Sequence, residues 1–335
     1  MNILETTVET DFLKRRVVII GDLVADQFLN GTISRVSREA PVFILRHDQT
    51  ETKPGAAANA AANVASLGGI PVLIGLAGTD PNGDLLLQKL NELGVDAGNV
   101  ITDSRISTTT KVRVLAGQHY ASRQQVIRID YESIGPISEQ IKRTMQERLI
   151  AEASAADAII VSDYNYGAVF PEIFDTARSV ATDRGIPLVV DSRFRLTGFP
   201  GATTATPNRE EVGKVLGKSF SVDDCAELRG RLGYRSLLVT NGNEGMLLFE
   251  ENCPPLNMNA IGSKEPVDVT GAGDTVIAAY ALGLASKLGF ADSAMIANHA
   301  GGIVVMKKGT STVTTDELLQ SLRTEARSLT SKQSN

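Results

Sequence analysis

Five short runs of this 335-residue chain have a core of consecutive apolar residues: RRVVIIGD (15–22), IPVLIGLAG (70–78), DAIIVSDY (157–164), IPLVVDSR (186–193) and RSLLVTNG (235–242). A strand with one wet face alternates apolar and polar residues, so runs like these need cover on both faces. The cover lies between them in the chain. AANAAANVASLG (57–68), PNGDLLLQKLNELG (81–94) and PEIFDTARSVATDRG (171–185) read as helices, the second with apolar residues at helical spacing and a glycine stop. Strands alternating with helices predict an α/β fold around a mainly parallel sheet. Ligands of such sheets bind beyond the carboxyl ends of the strands, where Asp22, Asp163, Asp191, Asn208 and Thr240 gather.

One region breaks the rhythm. TTTKVRVLAGQHYASRQQVIRIDYE (108–132) alternates with period two and predicts an antiparallel hairpin, which APVFILRHD (40–48) could join. A small sheet inserted in an α/β domain can close as a lid over a site. Lys111, Arg113, Arg123 and Arg128 lie on it, either as an anion-binding set or as a solvated face. No low-complexity linker divides the chain. One domain is expected over 1–330, with lid segments near 28–48 and 105–131 and a disordered tail at 331–335.

Composition narrows the partners. With 33 basic and 39 acidic residues the net charge is -6, so no general attraction to nucleic acid or to an anionic membrane is expected. Two cysteines and three histidines make neither a disulfide framework nor a zinc pattern. No run is long and apolar enough to span a bilayer, and the polar start MNILETTVETDFLKRR does not read as a signal peptide; the expected location is the cytoplasm.

EPVDVTGAGDTV (265–276) sets Gly271, Ala272 and Gly273 before Asp274 and an apolar run to Leu288. The first amides of a helix have no partner within it and carry partial positive charge, so bare backbone there suits a phosphate. Asp274 would then take a proton from an attacking hydroxyl. The same residues also suit a glycine turn with Asp274 as N-cap. Spacing alone leaves the two readings level.

Several motifs in order resemble the ribokinase-like (PfkB) family of carbohydrate kinases, from Val17 to about Thr315. PGAAANAAANVASLG (54–68) is similar to its sugar-binding signature, with Gly55, Asn59 and Asn63 in place and Ala56 where a second glycine is usual. TPNREE (206–211) matches an Asn-x-x-Glu element, TNGNEG (240–245) a nucleotide-side Thr-x-Gly-x-x-Gly element, and DVTGAGDT (268–275) the C-terminal signature. The resemblance implies a three-layer domain with a small β lid, ATP and Mg2+ as cofactors, a sugar or sugar phosphate as substrate, and pairing as a homodimer through the lid.

By the same resemblance, the amides of Gly271, Ala272 and Gly273 form the anion hole, and Asp274 is the base. Asp22, Asp26, Gly55, Asn59, Lys111, Arg113, Arg123, Asp163 and Arg193 would bind substrate. Asn208, Thr240, Gly242, Gly245, Asn298, Gly302 and Val305 would bind the nucleotide, the last three on a helix read over 297–309. Asn208 and Glu211 would hold Mg2+ through water or phosphate, and Asp268, Thr270, Gly309 and Ser311 a K+ ion. Capping or turn formation is the other reading of Asp22 and Asp26.

Within the family, GDLVADQFLNGTISRVSREAPV (21–42), TTTKVRV with RQQVIRIDYE, and VSDYNYGA (161–168) resemble kinases of D-glycero-D-manno-heptose 7-phosphate, which make the 1,7-bisphosphate. Tyr166 stands where those carry a lysine, and Ser192-Arg193 where they carry Pro-Lys. Bifunctional members append a nucleotidyltransferase domain with a His-x-Gly-His motif, which this sequence lacks. A kinase of a free sugar or nucleoside is the alternative. A non-catalytic sensor would not need to keep GAGD, and a dinucleotide dehydrogenase would need G-x-G-x-x-G after VVIIGD.

Overall fold

The computed structural model describes residues 3–118, 123–132, 137–263 and 265–333. Among them the strands are β1 (Arg16–Gly21), β2 (Leu23–Val36), β3 (Phe43–Ala56), β4 (Ile70–Gly78), β5 (Val100–Asp103), β6 (Thr110–Gly117) and β7 (Gln124–Tyr131). They continue with β8 (Ala158–Asp163), β9 (Leu188–Ser192), β10 (Thr204–Ala205), β11 (Ser236–Thr240), β12 (Met246–Glu250) and β13 (Leu256–Met258). The helices are α1 (Ile3–Thr6), α2 (Ala57–Ser66), α3 (Pro81–Glu92), α4 (Glu139–Ala153) and α5 (Pro171–Arg184). α6 (Arg209–Leu216), α7 (Val222–Arg231), α8 (Ala272–Ala285), α9 (Phe290–Val304) and α10 (Thr315–Gln333) complete the set.

Nine strands form the central sheet in the order β13-β12-β11-β10-β9-β8-β1-β4-β5. Pairings from β5 through to β11 are parallel; β12 and β13 are antiparallel at one edge. Val17, Val18, Ile19 and Ile20 of β1 are fully buried, with Val17 and Ile19 facing one core and Val18 and Ile20 the other. The first core is closed by α2, α8, α9 and α10, the second by α4, α5, α6 and α7. This is the three-layer α/β arrangement that unbroken apolar strands demand.

Local signals place the helices. α3 starts on Asp80, whose side chain accepts from Gly83 N–H, with Pro81 in the first turn; α5 ends on Gly185 in the left-handed conformation. α6 and α7 begin with capping boxes, Asn208 with Glu211 and Ser221 with Asp224. α9 corrects one expectation. It occupies Phe290–Val304, not 297–309, and turns follow it to Gly309. α10 runs over residues 331–333 of the expected tail; 334 and 335 lie outside the described residues.

The second sheet has the order β3-β2-β6-β7. β2 pairs antiparallel with β3 and parallel with β6, and β6 with β7 forms the expected hairpin. Residues 119–122 of the second lid segment lie outside the described residues. A single residue, Asp22, joins β1 of the central sheet to β2 of the second, and β3 runs straight into α2. The lid therefore grows out of the same point at which the parallel strands end.

Candidate active site

The site is built around the first turn of α8. Gly271 is its N-cap, at φ 78°, a left-handed conformation that costs glycine little. A Cβ there would also lie 2.5 Å from Asn59 Nδ2. Asp274 does not cap the helix. It is 3% exposed, with Oδ2 accepting from Asn59 Nδ2 at 2.8 Å and Oδ1 from the Tyr164 hydroxyl at 2.8 Å. Burial pushes its pKa up to about 6, against the two hydrogen bonds and Arg193, which favour the carboxylate; Asp26 acts with burial. The capping reading fails on this geometry. A carboxylate poised near neutrality, beside first-turn amides with no intrahelical acceptor, can take a proton while an anion is held, although Ala272 N–H already donates to Val269 O at 3.2 Å. Gly273 adds open space, since nothing lies within 4 Å of where its Cβ would be.

The expected substrate residues separate into three groups. Asn59, Asp26 and Gly55 converge: Asn59 also donates to Gly271 O at 3.3 Å, Asp26 ion-pairs with Arg113 and accepts from Thr310 Oγ1 at 3.2 Å, and a Cβ on Gly55 would lie 2.6 Å from Asp26 Oδ2. Lys111 and Arg193 flank the Tyr164 ring, at 5.5 and 5.1 Å from its centroid, and Lys111 is also 5.4 Å from that of Tyr166. Burial pulls the Lys111 pKa down, partly offset by Asp26.

Asp22, Asp163 and Arg123 form the third group, and each corrects an expectation. Asp22 accepts from the backbone N–H of Tyr164, Tyr166 and Ala168 at 2.7, 3.1 and 2.9 Å, the turn-forming reading. Asp163 is fully buried, bonded to Ser192 Oγ at 2.6 Å and ion-paired with Arg195. Both carboxylates are strand-end struts because loops fold donors onto them. Arg123 pairs with Asp48 on the exposed part of the lid, at 2.7 Å.

The nucleotide-side candidates come together. Thr240, Gly242, Gly245, Asn298, Gly302 and Val305, with Gly273, line one pocket. Asn298 Nδ2 donates to Asn259 O at 2.7 Å, and a Cβ on Gly302 would lie 2.2 Å from Ile261 O, so both fix the 259–261 wall. Asn208 stands beside this pocket through its bridge to Thr240. Its side chain accepts from Glu211 N–H, and Glu211 accepts from Asn208 N–H and from Arg193 at 3.2 Å.

Asp191 gains a larger place than its strand-end position suggested. Burial pushes its pKa up to about 8, and the negative charge of Glu211 and of Asp274 acts in the same direction. Acids crowded in this way are short of positive charge, and a hard divalent cation would supply it. Among the described residues no three acidic, histidine or cysteine side chains stand close enough to hold a metal alone. A cation bound by Asp191, Glu211 and Asn208 oxygens would therefore share its shell with phosphate and water. Of the four residues expected around a monovalent ion, Asp268 ties two loops together. Its carboxylate accepts from Thr270 N–H and Gly309 N–H, both at 2.9 Å; Ser311 follows on the second loop and donates to Lys308 O.

The motifs do not single out two residues of the site, Tyr164 and Asp191, or the strut partner Arg195. Their signals were faint. Tyr164 precedes Asn165, whose φ of 63° belongs to a tight loop, and Arg195 lies in a charged stretch without a motif.

The family model described as pfkB family carbohydrate kinase matches residues 14–317. The bifunctional protein HldE of Gluconobacter oxydans is 36% identical over 326 residues, 94% of this chain and 66% of its own length. That of Shewanella amazonensis is 38% identical over 321 residues, 93% of this chain and 64% of its own. The chain thus spans about two thirds of the length of the curated relatives it matches. Among solved structures, phosphofructokinase-2 from Escherichia coli in complex with potassium superposes with a TM-score of 0.73 at 20% identity, over 91% of this chain and 97% of that one. Arabidopsis thaliana ribokinase complexed with ribose and ATP gives 0.71 at 19%, over 92% and 98%. At such identity the likeness is one of fold, and the fold is ribokinase-like.

Proposed function

The chain belongs to the pfkB family of carbohydrate kinases, phosphotransferases with an alcohol acceptor, and within it we propose transfer of the γ-phosphate of ATP to a sugar that already carries a phosphate. The substrate is D-glycero-D-manno-heptose 7-phosphate and the product its 1,7-bisphosphate. The observation that supports a phosphorylated substrate is Lys111. It is half-buried, stands over two tyrosine rings, and among the described residues no carboxylate lies within 4.0 Å of its ammonium. A cation left in that state is a receptor for an anion. The chain's resemblance to heptose 7-phosphate kinases, in line with 36–38% identity to the bifunctional HldE proteins, supports the particular sugar.

In this reading the acceptor hydroxyl gives its proton to Asp274, while Asn59 and Asp26 orient the sugar. The α8 amides receive the transferring phosphoryl group, and ATP occupies the pocket walled by Gly245 and Gly302. Asn208, Glu211 and Asp191 oxygens would hold Mg2+, which when bound would neutralise phosphate charge. A free sugar is the alternative substrate, favoured by the pairing of Arg113, Arg123 and Arg193 with carboxylates. Screening ATP-dependent transfer across sugars and sugar phosphates tests the two, with the 7-phosphate expected to lead in catalytic efficiency. The exposed Val126, Ile127, Ile129 and Tyr131 of the edge strand β7 support the lid as the surface where a second copy pairs.

The Asp268 loops carry a prediction of their own. Potassium is expected to raise the rate above that in a bulky organic cation at equal ionic strength. Equal rates in the two salts would remove the monovalent-ion site.

A further inference from the structure

We infer that Tyr164 is a positioning residue for Asp274, holding the carboxylate in the orientation and charge state that the base requires. The inference rests on the reading of Asp274 as the base and goes beyond it. Three observations carry it. The Tyr164 hydroxyl has Asp274 Oδ1 at 2.8 Å while Asn59 Nδ2 has Oδ2 at 2.8 Å, so each oxygen is gripped from its own side. One lone pair per oxygen remains, and the grip decides where those point. Tyr164 itself cannot drift, because it is 9% exposed and its ring packs with Val24 and Ala56 and has the Lys111 and Arg193 cations 5.5 and 5.1 Å from its centroid. Its backbone is fixed as well: the Asp22 carboxylate takes the N–H groups of Tyr164, Tyr166 and Ala168, which fill three of its acceptor positions.

The arrangement has a cost in backbone conformation, which argues that it is built and not incidental. Ala56, whose Cβ is in the cluster with Tyr164, lies at φ 56° and ψ -132°, and Asn165 lies at φ 63°. Neither is a comfortable conformation for a residue with a side chain. A donor aimed at a buried carboxylate favours its ionised form, the form that accepts a proton from substrate.

Tyr164→Phe in the full chain isolates the hydroxyl, since the ring and both cation contacts stay. Asp26 and Asp191, which also act on Asp274, are untouched, while Arg193 loses its side-chain hydrogen bond to the hydroxyl but keeps its charge and its ion pair with Glu211. The acid limb of kcat/KM for the sugar substrate should move up by about one pH unit, the size of one such hydrogen bond. The loss would then be about fivefold at pH 6, would approach tenfold at lower pH and would shrink towards pH 9, with the KM for ATP unchanged. A 3-fluorotyrosine installed at 164, a stronger donor, should move the limb the other way. A merely structural tyrosine would lower activity by one factor at every pH and leave the limb where it is, and that result, or no change at all, overturns the inference. Asp274→Asn run alongside separates the two claims: an active Asn variant removes the base itself, whereas an inactive one with an unmoved Tyr164→Phe limb removes only the positioning role.

Discussion

Asp274→Asn lowers turnover by roughly a hundredfold or more and leaves ATP affinity nearly intact, the expected cost of a lost general base. The substitution keeps the volume of a buried side chain and one acceptor oxygen, so Asn59 or Tyr164 retains a partner. It also removes a negative charge from beside Asp26 and Asp191, which relieves crowding and does not unfold the site. What is lost is the ability to take a proton. The pH profile gives the same test from another side. With the Asp274 pKa raised by burial to about 6, the parent's activity is present above that value and falls as pH drops through it, because the protonated acid cannot serve as base. The Asn variant should show no such limb in its residual rate. Turnover within a few-fold of the parent would return Asp274 to a structural role.

How much of this was legible in the chain differs between scaffold and site. The parallel sheet was, because strands buried on both faces leave unbroken apolar runs such as 17–20. α4 was harder to see. Ile141, Met145, Leu149 and Ala153 bury one stripe of it, but the stripe is narrow in a segment rich in charge. The anion cradle and its base could be read from glycine spacing beside an acid, since the chemistry needs bare backbone there. The division of labour among the acids could not. Asp22, Asp163 and Asp191 stand at the ends of central strands and Asp26 inside β2 of the lid, and the donors that reach each one decide its role. Those donors are amides of the 164–168 loop for Asp22, Arg195 for Asp163 and Arg113 for Asp26. Their approach depends on loop conformations such as Asn165 at φ 63°, which residue identity alone does not dictate.

Lys111→Ala is expected to weaken a heptose 7-phosphate substrate about ten- to a hundredfold, the equivalent of about 1.5–3 kcal/mol for one charge-assisted contact. A sugar phosphate brings about two negative charges to a site that must also hold ATP, so it needs a cation apart from the nucleotide. Arg113 is committed to Asp26, Arg123 faces Asp48 on the exposed lid, and Arg193 compensates the buried Glu211. Removing Arg193 would therefore unpair an acid on the metal side and blur the result, whereas Lys111 has ring faces and the more distant attraction of Asp26 and Asp130 to lose. Its lowered pKa shows the tension of that state, and an arriving phosphate would relieve it. Because ring contacts are weak beside an ion pair, the cation is free to turn to the substrate. The KM for ATP should hardly move in the variant, and the small rate on a free sugar should stay as it is. If a free hexose or pentose equals the 7-phosphate in the parent enzyme, or if Lys111→Ala weakens both alike, the lysine is no phosphate receptor and the free-sugar reading takes its place.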